Sequence, residues 1–349
     1  MGTHYPIGDG MNKPNLIIIG RIERGNVSGP GAVIRVLLSG LDAIGVTYTF
    51  INTYGVSSLG LATIFFRLFF VKDTVINVHT FGYKMSYLVL ILSKINKSNR
   101  YYMTVHGVNS YEYRINGMVK EAKKAERVEK KLFTNFPNII CVSGLLKEYV
   151  AREFKRRNDV FCIYNCINNS NKAIPRRNSG NIFLYTGGFS NRKNPFGAIK
   201  FFTDICLSRD ADAKMIMCGN RLDISLYNRC RQYILSRGLQ KSISILGEIS
   251  RDKLNGLYSK ATFIVAPSIF DTFNMSVLEA MSFGCIPIVS SNCGIKDVIN
   301  DKNGYIIDKI SKDENIYANI KDISKGAFDT ALRLNHELMA QNYIRTMRV

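Results

Sequence analysis

Residues 262–307 read TFIVAPSIFDTFNMSVLEAMSFGCIPIVSSNCGIKDVINDKNGYII. Thr262 to Ala266 is a short apolar run closed by Pro267-Ser268, the pattern of a strand buried on both faces. Met275 to Phe283 has helical spacing, Gly284 breaks it, and Ile286 to Val289 is apolar again. Strand, loop, helix and strand in so few residues make a parallel crossover. The loop after its first strand then lies at the carboxyl end of the sheet, where ligands bind in open α/β folds. The helix N-terminus points at that crevice, and its free N–H groups favour an anion such as a diphosphate. Asp271 in the loop and Glu279 in the helix are placed to accept hydrogen bonds from hydroxyls.

The same alternation continues in both directions. Upstream come strand Ile182 to Thr186, loop Gly187 to Asn194, helix Pro195 to Phe202, strand Ala213 to Cys218, helix Ile224 to Ser236 and strand Ile243 to Leu246; a helical region follows Asp313. A second set precedes it. Apolar Asn15 to Gly20 leads into the glycine-rich loop Gly25 to Gly31 and a helical stretch Ala32 to Leu41, followed by strands near Tyr48–Asn52, Thr74–Val78, Tyr101–Val105 and Asn138–Val142. Between the sets, Asn168 to Gly180 is polar and rich in turn formers, the composition of a connection between domains. With 349 residues, two domains of about 150 to 180 residues each are expected. The reading is therefore an extension at 1–14, a domain at 15–174, a hinge near 175, a second domain at 175–325, and a C-terminal helix at 326–349 that packs back on the first domain. Both domains read as doubly wound α/β units facing each other across a cleft.

The 262–307 stretch resembles the donor-binding segment of family 4 glycosyltransferases, the large retaining group with the GT-B fold. That family has a strand ending in Pro-Ser, an acid, seven residues and a second acid, then Ala-Met and a Gly-x-Pro turn. Here these are Pro267-Ser268, Asp271, Glu279-Ala280-Met281 and Gly284 to Pro287, with Gly294 to Asp297 and Asn303-Gly304 also in order. The resemblance implies that Asp271 holds hydroxyls of the transferred sugar and that Glu279 grips the nucleotide ribose. Thr272, Phe273, Asn274, Met275 and Ser276 then offer backbone groups to the donor. One departure stands out: the first acid of the family is usually Glu, one methylene longer.

Leu184 to Asn194 resembles the strand that the family follows with Gly-Arg, four residues and Lys-Gly. Lys193 falls on the lysine that neutralises the donor diphosphate, and the usual arginine falls on Gly188, after Gly187. Arg192 is the candidate to supply the missing charge, although adjacent side chains on a loop need not point the same way. Gly29, Pro30 and Gly31 occupy the place of the family's glycine-rich loop, where the lack of a side chain lets backbone approach a phosphate or sugar. Tyr102 to Gly107 resembles the strand whose terminal histidine faces the transferred sugar, so His106 is a hydrogen-bond donor candidate. His79, at another strand end, is the candidate on the acceptor side. Cys141 to Ser143 and Ile163 to Asn165 resemble two further family landmarks. With Asp271 and Lys193, His106 makes up the expected catalytic set.

Composition narrows the classes that remain. The net charge is +20, split +11 in residues 1–170 and +9 beyond, so it belongs to the folded surface and favours an anionic partner. No zinc finger, RNA-binding aromatic signature or basic arm accompanies it, and no nucleic-acid partner is expected. The eight cysteines form no C-x-x-C pair and several sit in apolar runs, which fits free thiols in a reducing cytoplasm. No basic start precedes an apolar stretch, and the longest apolar runs fall short of the roughly 20 residues that cross a bilayer. Histidines at 4, 79, 106 and 336 make no ligand set, so neither a metal nor another cofactor is expected.

By resemblance the chain is expected to be a metal-independent retaining transferase. It would move a sugar from a nucleotide sugar, a UDP-sugar by default and GDP-mannose next, to a glycan acceptor. Met118 to Phe133 carries six Lys/Arg against three Glu and points to an anionic inner membrane and a lipid-linked acceptor. A sugar-nucleotide epimerase on the same scaffold, or a non-catalytic nucleic-acid binder, are the alternatives.

Overall fold

The computed structural model describes residues 15–23, 29–80, 83–156, 159–168, 181–311 and 314–349. The 1–14 extension, most of the glycine-rich loop before Gly29, and the hinge near 175 lie outside the described residues.

Among the described residues, twelve strands form two parallel sheets of six. The first is built from β1 (Leu16–Gly20), β2 (Thr49–Asn52), β3 (Val75–His79), β4 (Arg100–Val105), β5 (Asn138–Cys141) and β6 (Val160–Cys162), in the order β2-β1-β3-β4-β5-β6. The second comprises β7 (Ile182–Tyr185), β8 (Lys214–Cys218), β9 (Ile243–Gly247), β10 (Phe263–Ala266), β11 (Ile286–Val289) and β12 (Tyr305–Ile306), in the order β12-β11-β10-β7-β8-β9. Each sheet reverses its strand order once, beside β1 and beside β7, which opens a crevice at the carboxyl ends. The first sheet is accompanied by α1 (Pro30–Ala43), α2 (Ser58–Phe69), α3 (Tyr83–Ile95), α4 (Asn109–Ile115), α5 (Val119–Asn135) and α6 (Gly144–Glu153). The second carries α7 (Pro195–Phe201), α8 (Ile224–Ser236), α9 (Arg251–Lys260), α10 (Met275–Met281) and α11 (Ile320–Arg333), and α12 (His336–Met347) ends the chain.

Side-chain alternation sorts the second sheet between two cores. Phe183, Tyr185, Phe263, Val265, Ile286 and Ile288 pack on one face with α7 and α8. Their neighbours Leu184, Ile264, Ala266 and Val289 face the other way and join α10, α11, α12 and the whole first sheet in a single apolar cluster, as a period of two requires. The domains thus share hydrophobic contact, not only polar contact.

The C-terminal region differs from the expected single helix at 326–349. A boundary at 325/326 falls inside α11, which packs on α10 and β11, while α12 packs on α1. The break is at Leu334-Asn335, where Asn335 caps α12 by accepting from Leu338 N at 2.9 Å. There the returning chain lies beside the outgoing one: Ile167 bridges Asn335 in parallel, and Ile167 N donates to Leu334 O at 3.1 Å. The two passages between the domains are therefore adjacent. Gly40 in α1 lets α12 dock, since a Cβ there would stand 2.0 Å from His336 O. Gly40→Val is expected to lose about 1–3 kcal/mol in urea unfolding through this overpacking. Gly256→Ala, in open space within α9, is expected to gain up to about 1 kcal/mol.

Candidate active site in the cleft

The loop after β10 is fixed by its backbone before any side chain acts. Asp271 N donates to Asn292 O at 3.0 Å and Asp271 O accepts from Gly294 N at 2.8 Å, so the loop runs as a short bridge beside Cys293. Ser290 Oγ holds Ser268 O at 2.6 Å, and Asn194 Nδ2 holds Pro267 O at 3.0 Å. Asn274 takes a left-handed conformation (φ 72°) that turns the chain into α10. Its Oδ1 accepts from Ser276 Oγ at 2.8 Å, and Ser276 Oγ in turn accepts from Thr186 Oγ1 at 3.1 Å. Met275 and Ser276 thus open α10 beside the end of β7.

Asp271 is buried, and two cations converge on it. Lys193 Nζ donates to Asp271 Oδ2, and Arg192 Nη1 lies 3.8 Å from the same oxygen. Arg192 and Lys193 therefore point the same way, which their adjacency on a loop did not settle. Burial alone would raise the Asp271 carboxyl, but Lys193 and then Arg192 hold it below the usual carboxylate range. The 3-10 turn Asn191–Lys193 positions both cations, with Arg192 O accepting from Ile269 N at 2.9 Å. The glycine in place of an arginine at 188 has a steric cause. Gly188 has φ +70°, and a Cβ there would meet Asn220 Oδ1 at 2.5 Å, while the backbones of Gly188 and Gly219 touch. Gly187 is crowded too, by the Tyr185 hydroxyl.

The first domain closes over this cluster. Glu112 on α4, which sequence reasoning passed over, meets Arg192 Nε at 3.4 Å, and Asn116 Oδ1 accepts from Arg192 N at 3.3 Å. Thr272 Oγ1 donates to His106 O at 2.6 Å. Asp297 Oδ2 accepts from Gly144 N at 2.6 Å, an acid at the start of α6, where the helix dipole favours it. Phe270 sits edge-on to Tyr111 with centroids 4.6 Å apart, and Phe273 lies 6.3 Å from Tyr164. Tyr164 belongs to one of the landmarks singled out in the sequence. No sequence signal paired these residues across the domains, because each pair is remote along the chain.

His106 ends β4 at the cleft and is 9% exposed. His79, expected on the acceptor side, is 3% exposed and lies beneath His106, with Nδ1 of His79 2.9 Å from Nε2 of His106. The open acceptor position does not fit its burial. Burial lowers the His106 imidazole to about 4, and burial, then the His106 charge, lowers His79 well below the usual imidazole range.

Glu279 stands apart from the Asp271 cluster. Arg251 Nη1 pairs with its Oε2 at 2.8 Å, and the Tyr258 hydroxyl donates to the same oxygen at 3.4 Å. Arg251 is a second residue that sequence reasoning missed, in an unremarked Ser-Arg-Asp start to α9. Gly29, with φ 61°, precedes Pro30 at the first turn of α1, and Gly31 is buried. One Asp-x-Asp does occur, Asp210-Ala211-Asp212, which corrects the expectation that the chain carries none. It forms a turn at the opposite, amino end of the second sheet: Asp210 Oδ1 accepts from Asp212 N at 3.0 Å and Oδ2 from Asn181 Nδ2 at 2.6 Å. Among the described residues no three His, Cys, Asp or Glu side chains group as a metal site. No helix among them is long and apolar enough to cross a membrane, and all eight cysteines are free, Cys162 being the one not fully buried.

Two doubly wound parallel sheets meeting across a cleft, with the cations and the acid on the second, define the GT-B fold. Sucrose-phosphate synthase from Thermosynechococcus elongatus superposes with a TM-score of 0.71 over 96% of this chain and 98% of that one, at 16% identity. Residues 167–338 match the family model for glycosyl transferases group 1. Among curated relatives, the O-antigen chain mannosyltransferase RfbU of Salmonella typhimurium is 28% identical over 170 residues, 48% of this chain and 46% of the relative. A GDP-mannose:cellobiosyl-diphosphopolyprenol alpha-mannosyltransferase of Xanthomonas oryzae is 32% identical over 111 residues, 32% of this chain and 29% of the relative. The aligned part spans about half the length, or less, of the curated relatives it matches. The chain belongs to the group 1 glycosyltransferases of the GT-B fold.

The buried groups set how stability varies with pH. An imidazole whose folded pKa is depressed stabilises fully above its unfolded value of about 6.5, and loses that contribution as pH falls toward the folded value, about 4 for His106. Asp271, also depressed, stabilises fully above about 3.9 and loses its contribution only as pH falls below that. Thermal midpoints are therefore expected to decline in two stages on acidification. His106→Asn is expected to remove part of the upper stage. Asp271→Asn is expected to remove part of the lower stage and to cost about 3 kcal/mol at neutral pH, leaving Lys193 without its acid and Arg192 with Glu112 alone.

Proposed function

We propose that the protein is a retaining glycosyltransferase that transfers a sugar from a nucleotide-diphosphate sugar to a lipid-linked glycan, without a metal. The observation that carries this reading is the convergence of Lys193 and Arg192 on Asp271 at the carboxyl end of the second sheet, opposite His106. Two cations held by one buried acid form a preorganised electrostatic site. An incoming diphosphate takes over the cations, and the acid is then available to the sugar hydroxyls. As the bond from the anomeric carbon to the phosphate oxygen breaks, the acceptor oxygen bonds to that carbon from the same face. Its proton passes to the departing phosphate oxygen. The domain contacts through Thr272, Glu112 and Asp297 support a closed state that keeps water from the donor. Glu279 leaves Arg251 to hold the ribose.

GDP-mannose leads as donor, ahead of a UDP-sugar, because both curated relatives described above are named mannosyltransferases. A diphosphopolyprenol in one of those names supports a lipid-linked acceptor. The α2–α3–α5 layer supports an anionic membrane at the cytoplasmic face as the place of work. Leu59, Phe66 and Phe70 are 79%, 64% and 76% exposed, and neither Ser57–Lys72 nor Tyr83–Asn99 contains an acid. The basic helix α5 flanks α3. Apolar residues in a cationic frame suit the boundary of an anionic bilayer.

The first test is a thermal-shift and hydrolysis screen with GDP-mannose, UDP-, ADP- and CMP-sugars in EDTA. One nucleotide sugar is expected to raise the midpoint and to be slowly hydrolysed. Glu279→Ala is expected to weaken it by about tenfold, the loss of one charge-assisted hydrogen bond. No response to any of them would reject the reading. Flotation with phosphatidylglycerol vesicles at low salt is expected to carry the protein, and Phe66→Glu/Phe70→Glu to abolish this. Equal flotation of that variant would reject the α2 face.

A further inference from the structure

Beneath the cleft, two imidazoles and a phenol ring lie against one another. The His79 and His106 rings are nearly parallel, 5.1 Å apart at 25°, and the Tyr343 ring of α12 lies 6.1 Å from His79 at 13°. His106 is pinned through its backbone on two sides: its N–H donates to Thr80 Oγ1 at 3.2 Å, and its carbonyl accepts from Thr272 Oγ1. What remains free is the orientation and protonation of the ring. The one described contact to that ring's Nε2 is His79 Nδ1, at 2.9 Å.

At that distance one proton lies between the two nitrogens. Burial keeps both rings neutral at pH 7, so two arrangements exist. In one, His106 Nε2–H donates and His79 must carry its proton on Nε2. That atom is buried with no partner among the described residues, so a donor would be orphaned. In the other, His79 Nδ1–H donates and His79 Nε2 is a bare lone pair. Buried N–H groups without an acceptor are rarer than unsatisfied acceptors, which selects the second arrangement.

The geometry points to His79 as a positioning residue: its Nδ1–H donates to His106 Nε2 and thereby holds His106 as the Nδ1–H form, with that N–H offered to an oxygen of the transferred sugar. The last clause rests on the donor-site reading above, whereas the protonation pattern does not. The phenol of Tyr343 backs His79 from α12, so a ring carried by the last helix of the chain supports one at the cleft.

The test uses the full-length protein labelled with 15N at histidine. With four histidines in the chain, long-range 15N–1H correlations are assigned by single variants. At pH 7.5 both His79 and His106 are expected to be protonated at Nδ1. His79→Asn, whose carboxamide can donate from nearly the same place, is expected to keep His106 in that form. His79→Ala, which leaves room for a water that can accept, is expected to release it to Nε2–H. Hydrolysis of GDP-mannose is expected to follow: kcat roughly tenfold lower in His79→Ala, the KM for GDP-mannose unchanged, and recovery in His79→Asn. An Nε2–H form of His106 in the unaltered protein, or the same tautomer in His79→Ala, overturns the proposal. Absence of GDP-mannose hydrolysis together with the expected tautomers instead counts against the donor-site reading alone.

Discussion

The Asp271 carboxylate, buried between Lys193 and Arg192, is the constraint on which the cleft depends. A carboxylate in that position is tolerable only with cations beside it, and the cations are there because four loops are locked to one another. The Gly188–Gly219 backbone contact fixes the loop carrying Arg192 and Lys193. The Cys293 bridge fixes the loop carrying Asp271. Arg192 then passes the constraint to the first domain through Glu112, whose carboxyl burial pushes up while Arg192 pulls it down.

The same residues serve packing and chemistry. Phe270 and Phe273 flank Asp271 and Thr272 in sequence, and both reach aromatic rings of the first domain. An apolar cluster that runs from the first sheet through α10 to the second gives the interface a dry floor, and the polar contacts stand at its rim. Displacing Asp271 from its cations thus disturbs a core as well as a charge.

Much of this was legible in the sequence. Residues 262–307 gave strand, loop, helix and strand because buried parallel strands are short apolar runs and Asn274 and Gly284 are strong local punctuation. Asp271 and Lys193 came from the resemblance to the family's donor-binding segments, and the structure brings them together. Glu112, Arg251 and Asp297 were not found in these roles, since no local pattern tells an acid or a cation which distant partner it will meet. The loss of arginine at 188 read as an anomaly until the positive φ and the close Asn220 showed that a side chain there would be strained. His79 looked like a strand-end ligand because its own neighbours are ordinary; its burial comes from β4 and α12. The 325/326 boundary failed because α11 and α12 follow each other after a single break, while packing assigns them to different domains.

The adjacency of Ile167 and Asn335 makes the second domain an insertion into the first, not a module appended to its end. Its two ends leave the first domain side by side, at Ile167 and Leu334. Such a joint resists being drawn apart, because two chain passages share the load. It also shortens the loop that folding must close: once α12 has docked on α1, the inserted domain has its ends held together and behaves as a nearly closed ring. A fold of this kind carries its hinge as a topological property, independent of the composition of the linker itself.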